Sequence, residues 1–327
     1  MKHNRNKNIS KLDQVRANAV YGYRFFTSRI SAIMSYHRIY QNYASIIYRM
    51  LRNDYPIEAT TRKGDYIIFR NRSEARIVTL LADHGCKDYE VTDNKIDITS
   101  PLVGTNDRRK LQLYDAVNNG DIIRIFFDKV YDFLPADGKT VIDIGANIGD
   151  SSMYFALRRS KRIIAIEPFP KNYESAKKNI ELNRFADKII LLLAGCAAEH
   201  GDITVDPFYE SDDSSRLLEF KQGIKVPLVT LGDIINENDL SEGEAVLKMD
   251  CEGCEYETIL ASNPDTLRFF SHIQLEYHQG YENLREKLER CGFDVTVTRP
   301  LLMRSISIQG KTTLYTGYLY AIRKQSN

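Results

Sequence analysis

Two short stretches hold most of the side chains able to do acid–base chemistry. LKMDCEGCEYE, residues 247–257, sets Asp250, Glu252 and Glu255 close together, and IQLEYHQG, residues 273–280, adds Glu276 and His278. Crowded carboxylates raise one another's pKa, so one of them can accept a proton near neutrality. His278 starts nearer that pH than any carboxylate and is the strongest single candidate for a general base. Asp250, Glu252, Glu276 and His278 are therefore the catalytic candidates. Each has a plainer use: Glu276 and His278 could be hydrogen-bonded strand-end residues, and Glu255 could be a favourable first-turn helix acid. The acids with His278 could instead hold Mg²⁺ or a similar hard cation, a lesser reading, so no metal ligand is assigned. Cys251-x-x-Cys254 has no second such pair to complete a zinc site, and reads as two small side chains in a tight loop around Gly253.

A third stretch, VIDIGANIGDSS from Val141 to Ser152, is too polar for a strand interior and too rich in glycine for a helix. It reads as the seam where a buried strand hands over to a helix, the place where open α/β sheets hold ligands. Gly145 and Gly149 would let backbone approach a ligand, and the following helix would point its amides there. The G-x-x-x-G spacing departs from the G-x-G-x-x-G that accommodates a pyrophosphate. Its flanking Asp143 and Asp150 would repel a pyrophosphate and attract a cation. S-adenosyl-L-methionine, with its ammonium and sulfonium, suits that charge. Some twenty residues further on, IIAIEPFP places Glu167 at the end of a second strand, where a carboxylate can accept hydrogen bonds from both ribose hydroxyls. The expected cofactor residues are Asp143, Gly145, Asn147, Gly149, Asp150, Ser151, Glu167, Pro168 and Ala194.

VIDIGANIGDSSMYFAL, AIEPFPKNYESAKKNIELN, the DDSSRL segment, VPLVTLGDII and LKMDCEGCEYETIL together resemble the FkbM family of S-adenosylmethionine-dependent methyltransferases. The resemblance covers about Asp121 to Thr298. It implies a Class I methyltransferase fold and, usually, O-methylation of a hydroxyl on a sugar or natural product. An RNA methyltransferase, or a cofactor-binding module without turnover, are the alternatives.

The elements that would position these residues follow from the pattern of the chain. Strands are expected at 140–144, 162–166, 188–193, 245–249, 273–277, 293–298 and 314–322, with helices at 121–134, 150–159, 171–183, 255–260 and 281–291. Such alternation calls for an α/β domain with a mostly parallel, Rossmann-like seven-stranded sheet and helices on both faces. The last two strands, with no helix between them, suggest an antiparallel pair at one edge. This domain would span 106–327. Ahead of it, residues 1–105 read as a small α+β accessory region: a polar tail, one long amphipathic helix from Ile30 to Leu51, a hairpin turning at Lys63-Gly64-Asp65, and a helix capped by Ser73 and stopped by Gly85. Asp212-Asp213-Ser214-Ser215 and Asn118-Asn119-Gly120-Asp121 could wall the acceptor side, though ordinary surface turns are at least as good a reading.

The 327 residues are 43% hydrophobic and 27% charged, ordinary for a soluble globular chain. The longest nearly apolar run, IILLLAGCAA, is about half the length a bilayer requires. With no signal core, a cytoplasmic location is expected. Five scattered cysteines argue against a disulfide framework and fit a reducing compartment. Residues 1–52 hold ten Lys/Arg against one acid, a charge of +9 against −8 in the remainder. Their interleaved arginines and tyrosines could bind nucleic acid or lie on an anionic membrane surface. The favoured reading is an aromatic side packed within the chain or on a second copy of it, in a homo-oligomer, leaving a small molecule or glycan as the main partner.

Overall fold

Helix α1 (Lys11–Ile39) ends where its backbone is diverted towards a strand. Gln41 N donates to Thr60 O, and the Asn42 side chain donates to Glu58 O while accepting from Thr60 N. The helix therefore restarts as α2 (Tyr43–Leu51), and the single helix expected over Ile30–Leu51 is two. The computed structural model describes residues 9–92, 94–99, 110–208, 222–307 and 310–324, and within them all side chains except those of 22–28, 119, 304–307 and 310–312. The chain forms two units, 22–129, and 1–21 with 130–327. The boundary expected near residue 105 lies outside the described residues.

In the unit 22–129, β1 (Ile57–Thr60) and β2 (Tyr66–Phe69) form the expected hairpin, with Gly64 at φ +96° in its turn. Helix α3 (Arg72–Asp83) is capped by Asn71, which accepts from Glu74 N, so the cap lies two residues before the expected Ser73. Strands β3 (Tyr89–Thr92), β4 (Lys95–Thr99) and β5 (Lys110–Tyr114) make an antiparallel sheet. A short α4 (Ala116–Asn119) and one π-turn, Ile123–Phe127, stand where a helix over 121–134 was expected; Lys129, at φ +53°, cannot continue a right-handed helix. The aromatic side of the basic segment is used inside this unit. Tyr36 donates to Ala75 O, Tyr40 bonds Thr79, and Arg38 pairs with Asp83.

The other unit is built on β6 (Thr140–Ile144), buried at every position. The chain continues through α5 (Asp150–Leu157), β7 (Arg162–Glu167), α6 (Pro170–Leu182) and β8 (Ile189–Leu193). A small sheet of β9 (Gly195–Cys196), β10 (Gly201–Val205) and β11 (Ile224–Val229) follows, then α7 (Leu231–Glu237) and β12 (Ala245–Met249). Last come α8 (Cys254–Ala261), α9 (Pro264–Arg268), β13 (Phe270–Tyr277), α10 (Glu282–Arg290), β14 (Phe293–Val297), β15 (Leu301–Ser307) and β16 (Gly310–Arg323). The main sheet runs β14-β16-β13-β12-β6-β7-β8, with β15 attached to β16. Strands β13, β12, β6, β7 and β8 are parallel, and β16 is antiparallel to both its neighbours. This is a mostly parallel, Rossmann-like sheet, as expected from the alternation of strands and helices.

Alternation along the strands divides the packing. Ile142, Ile144, Ile164, Ile166, Leu247, Met249 and Leu275 pack with apolar residues of α7, α8, α9 and α10. The intervening positions, Asp143 and Lys248 among them, face the side where Tyr131 packs against Phe155 of α5. No helix among the described residues is long and apolar enough to cross a membrane.

Candidate active site at the switch between the first and fourth parallel strands

From β6 the chain builds outward to β7 and β8, then returns to lay β12 on the other side of β6. That reversal opens a crevice at the carboxyl ends of β6 and β12. After Ile144, Gly145 N and Ala146 N both donate to Ile166 O, each at 3.0 Å, turning the chain over the end of β7. Gly145 sits at φ +77°, and a Cβ there would come within 2.0 Å of Asp250 O. The first glycine is thus required by the close approach of the turn after β12. Gly149, at φ +83°, precedes α5, and a Cβ on it would meet the Ala176 methyl at 3.3 Å, a milder crowding.

Asp143 is fully buried. Ser151 Oγ and Ser152 Oγ donate to its Oδ2 at 2.7 and 2.6 Å, and Lys248 Nζ lies 2.9 Å from Oδ1. Lys248 Nζ also donates to Gly145 O at 2.7 Å and Ile144 O at 3.2 Å. Burial alone would lower the lysine pKa, yet the attraction of Asp143, and then of Asp250, raises it, so it stays charged. Asp143, expected with Asp150 to attract a cation, has its charge balanced inside the chain, and the Ser151 hydroxyl donates to it. Lys248 was missed because a lone lysine in AVLKM reads as a strand's solvent-facing residue.

Glu167 ends β7, 3% exposed. Its Oε2 accepts from Asn147 N at 2.8 Å, and its Oε1 accepts from Phe169 N at 3.0 Å, with Asn172 Nδ2 at 3.5 Å. Burial outweighs these bonds and pushes its pKa up to about 7. Asn147, at φ +48°, carries the N–H that reaches it. Asp150 and Ala194 are buried beside the same strand ends, and Pro168 lies between Glu167 and the Phe169 N–H it binds.

Across the crevice, Asp250 follows β12 directly; Asp250 N donates to Ile144 O, and Asp250 Oδ2 accepts from Tyr131 Oη at 3.3 Å. His278 follows β13 and is bracketed by acids. Its Nδ1 lies 2.9 Å from Glu255 Oε1, its Nε2 3.4 Å from Glu252 Oε2 and 4.0 Å from Asp250 Oδ1. Tyr256 Oη accepts from the backbone N of His278 and of Gln279 and donates to Gly280 O, which fixes the turn carrying the imidazole. Burial would lower the His278 pKa, but Glu255 first and Glu252 second raise it well above its usual value. Burial pushes Glu252 up to about 7, against the pull of His278. His278 is therefore held as an imidazolium, which cannot take another proton. Glu252, another of the expected catalytic residues, is then the group of the pair able to accept one near neutrality.

Asp250, Glu252 and His278 bring ligand-type atoms within 4.8 Å of one another. Glu276 is half-buried and in register with Tyr318. Cys251 and Cys254, expected as separate small side chains in a reduced protein, are joined by a disulfide. Inside that loop Glu252 has φ +56° and Gly253 φ +126°; a left-handed backbone costs a non-glycine residue roughly 1–2 kcal/mol. Asp212–Ser215 lies outside the described residues, and Asn118–Asp121 belongs to the unit 22–129.

The family comparison covers this crevice. The model of the methyltransferase FkbM domain matches from Asp143 to Val295, which spans Glu167, Asp250 and His278. Residues 143–295 are thus similar to a methyltransferase FkbM domain. The methyltransferase sdnD of Sordaria araneosa is 24% identical over 212 residues, 54% of this chain and 82% of that protein. Among solved structures, the precorrin-6y C5,15-methyltransferase of Geobacter metallireducens GS-15 is 16% identical with a TM-score of 0.33, covering 57% of this chain and 81% of that one. The O-methyltransferase of Bacillus cereus, solved in complex with SAH, is 15% identical with a TM-score of 0.33, covering 57% of this chain and 74% of that one. The matched segment thus contains both sides of the crevice, and the comparisons support a methyltransferase function.

Proposed function

We propose that the FkbM domain transfers a methyl group from S-adenosyl-L-methionine to a hydroxyl oxygen of a sugar, glycan or related small molecule. The observation that carries this reading is the Glu255–His278–Glu252 chain at the ends of β12 and β13, beside the Asp250 main chain that touches Gly145. The residues fit the cofactor on two counts. Glu167 offers a carboxylate at a parallel strand end, and its Oε2 keeps a lone pair beyond the bond it accepts from Asn147. Asp250 supplies negative charge for a cation, the part first given to Asp143 and Asp150. Glu167 would hold the ribose; the backbone of Gly145, Asn147 and Gly149, with Asp150, Ser151, Pro168 and Ala194, would line the nucleoside.

When bound, the cofactor supplies an electrophilic methyl on a positively charged sulfur, so the chain mainly has to align the acceptor and take its proton. Glu252, ionised above about 7, would take the proton of the acceptor hydroxyl. His278, oriented by Glu255, holds the Glu252 carboxylate in place. Tyr131 holds Asp250 through its hydroxyl.

Incubation with methyl-labelled S-adenosylmethionine and separate panels of sugars, glycans and RNA tests the reading. Label should appear in the sugar or glycan panel, in an ether linkage stable to mild base. Label in RNA alone, or cofactor binding without product in any panel, overturns it.

A further inference from the structure

We infer that the Cys251–Cys254 disulfide is a positioning element that holds Glu252 against His278, so that its reduction detunes proton transfer while leaving the cofactor side of the crevice intact. The inference deepens the proposed methyl transfer and rests on that reading. The bridge closes a ring over Glu252 and Gly253, and both enclosed residues have positive φ, +56° and +126°. An L-residue rarely adopts such a backbone unless its surroundings over-determine it. Here the two ends of the loop are tied to each other, and the Glu252 carboxylate leaves the ring towards His278 Nε2 at 3.4 Å. On the far side of the imidazole, Glu255 is the second residue of α8 and is fully buried, so it stays with the helix whether or not the bridge is present. The bridge therefore governs one face of His278, and the helix governs the other.

Opening the bridge has a second consequence. Cys251 Sγ lies 3.5 Å from Glu255 Oε2. As a thiol it gains an S–H able to donate to that carboxylate, which already accepts from Gly253 N. A dithiol reductant balances the step: the Cys251–Cys254 bond breaks, each sulfur gains a proton, and the reductant closes its own disulfide. Cys251 is half-buried and Cys254 buried, so the reductant would attack at Cys251. Cys86, Cys196 and Cys291 are not disulfide-bonded.

The groups facing His278 are Glu252 and Asp250 from the loop after β12, and Glu255 and the Tyr256 hydroxyl from α8. Among these the reductant releases Glu252. The full chain, labelled at histidine and oxidised with glutathione disulfide, would be titrated by NMR before and after dithiothreitol, with Cys251 and Cys254 scored by alkylation and mass spectrometry. The His278 resonance, assigned by its loss in His278→Gln, should shift its midpoint down by roughly one pH unit on reduction, as the opposite charge of Glu252 withdraws. Cys251→Ser/Cys254→Ser should titrate like the reduced protein and ignore the reductant. With an acceptor in hand, reduction should lower kcat about tenfold and leave the KM for the cofactor unchanged. An unchanged His278 midpoint after verified reduction, or no bridge after oxidation, overturns the inference. A His278 response as described in a chain that binds no S-adenosylmethionine upholds the role of the bridge and removes the methyl-transfer reading instead.

Discussion

Lys248 Nζ lies 2.9 Å from Asp143 Oδ1, and the two residues face each other in register on adjacent parallel strands, both all but inaccessible to solvent. The pair joins β12 to β6 beneath the glycine turn, and the same ammonium donates to Gly145 O. Breaking a buried pair by removing one partner strands the other charge, at a cost of about 3–5 kcal/mol. Lys248→Met should therefore lose about that much stability in denaturant unfolding. Adding Asp143→Asn to it should return a large part, because the stranded charge is gone.

The two sides of the crevice meet at one missing side chain. Gly145→Ala puts a methyl within 2.0 Å of Asp250 O on a backbone at φ +77°. The left-handed conformation alone costs about 1–2 kcal/mol, and the main-chain collision adds to it. Gly149→Ala shares the backbone cost but meets only the Ala176 methyl at 3.3 Å. Chemical denaturation of the two variants should rank Gly145→Ala as the more damaging.

How far these features were legible in the sequence follows from their range. The glycine turn, the acid at the end of β7 and the alternation of strands and helices are local signals, and the structure has strands where β6, β7, β8, β12 and β13 were expected. The Asp143–Lys248 pair is non-local: TVIDI and AVLKM each carry one charge at the fourth of five positions, but that match means nothing until the strands are known to be neighbours. The small sheet of β9, β10 and β11 went unread because its pairing joins segments on either side of 209–221. The helix expected at 121–134 failed because its apolar spacing does not reveal the left-handed Lys129. The disulfide was set aside on cysteine count, whereas it depends on how tightly the loop around Gly253 turns.

Glu255 raises the His278 pKa, and that can be read as stability. A histidine whose folded pKa lies above its unfolded value contributes stability that is fully present below the unfolded value, about 6.5, and is lost as pH rises through the folded one. Glu255→Gln removes much of that contribution. The stability gap between the native chain and this variant should be widest below about pH 6.5 and should narrow at alkaline pH, as measured by unfolding at several pH values. A gap independent of pH would mean that Glu255 does not hold the imidazolium.

Glu252 is assigned the proton. Glu252→Gln should lower kcat by about 10²–10⁴-fold, the usual range for a lost general base, with cofactor affinity unchanged. In the native chain kcat should rise through about pH 7 as Glu252 ionises, and in the variant that rise should disappear. Comparing the pH profiles of the two proteins on one acceptor checks both points.

The central claim, that Glu167 receives the ribose of S-adenosylmethionine beside the Gly145 turn, is tested most directly by calorimetric titration of that cofactor at two pH values. The Glu167 pKa of about 7 makes the carboxylate mostly protonated at about pH 6 and mostly ionised at about pH 8, so the native chain should bind roughly tenfold more tightly at the higher pH. Glu167→Gln should bind weakly at both. Absence of binding by the native chain, or equal affinity of chain and variant at both pH values, would contradict the account.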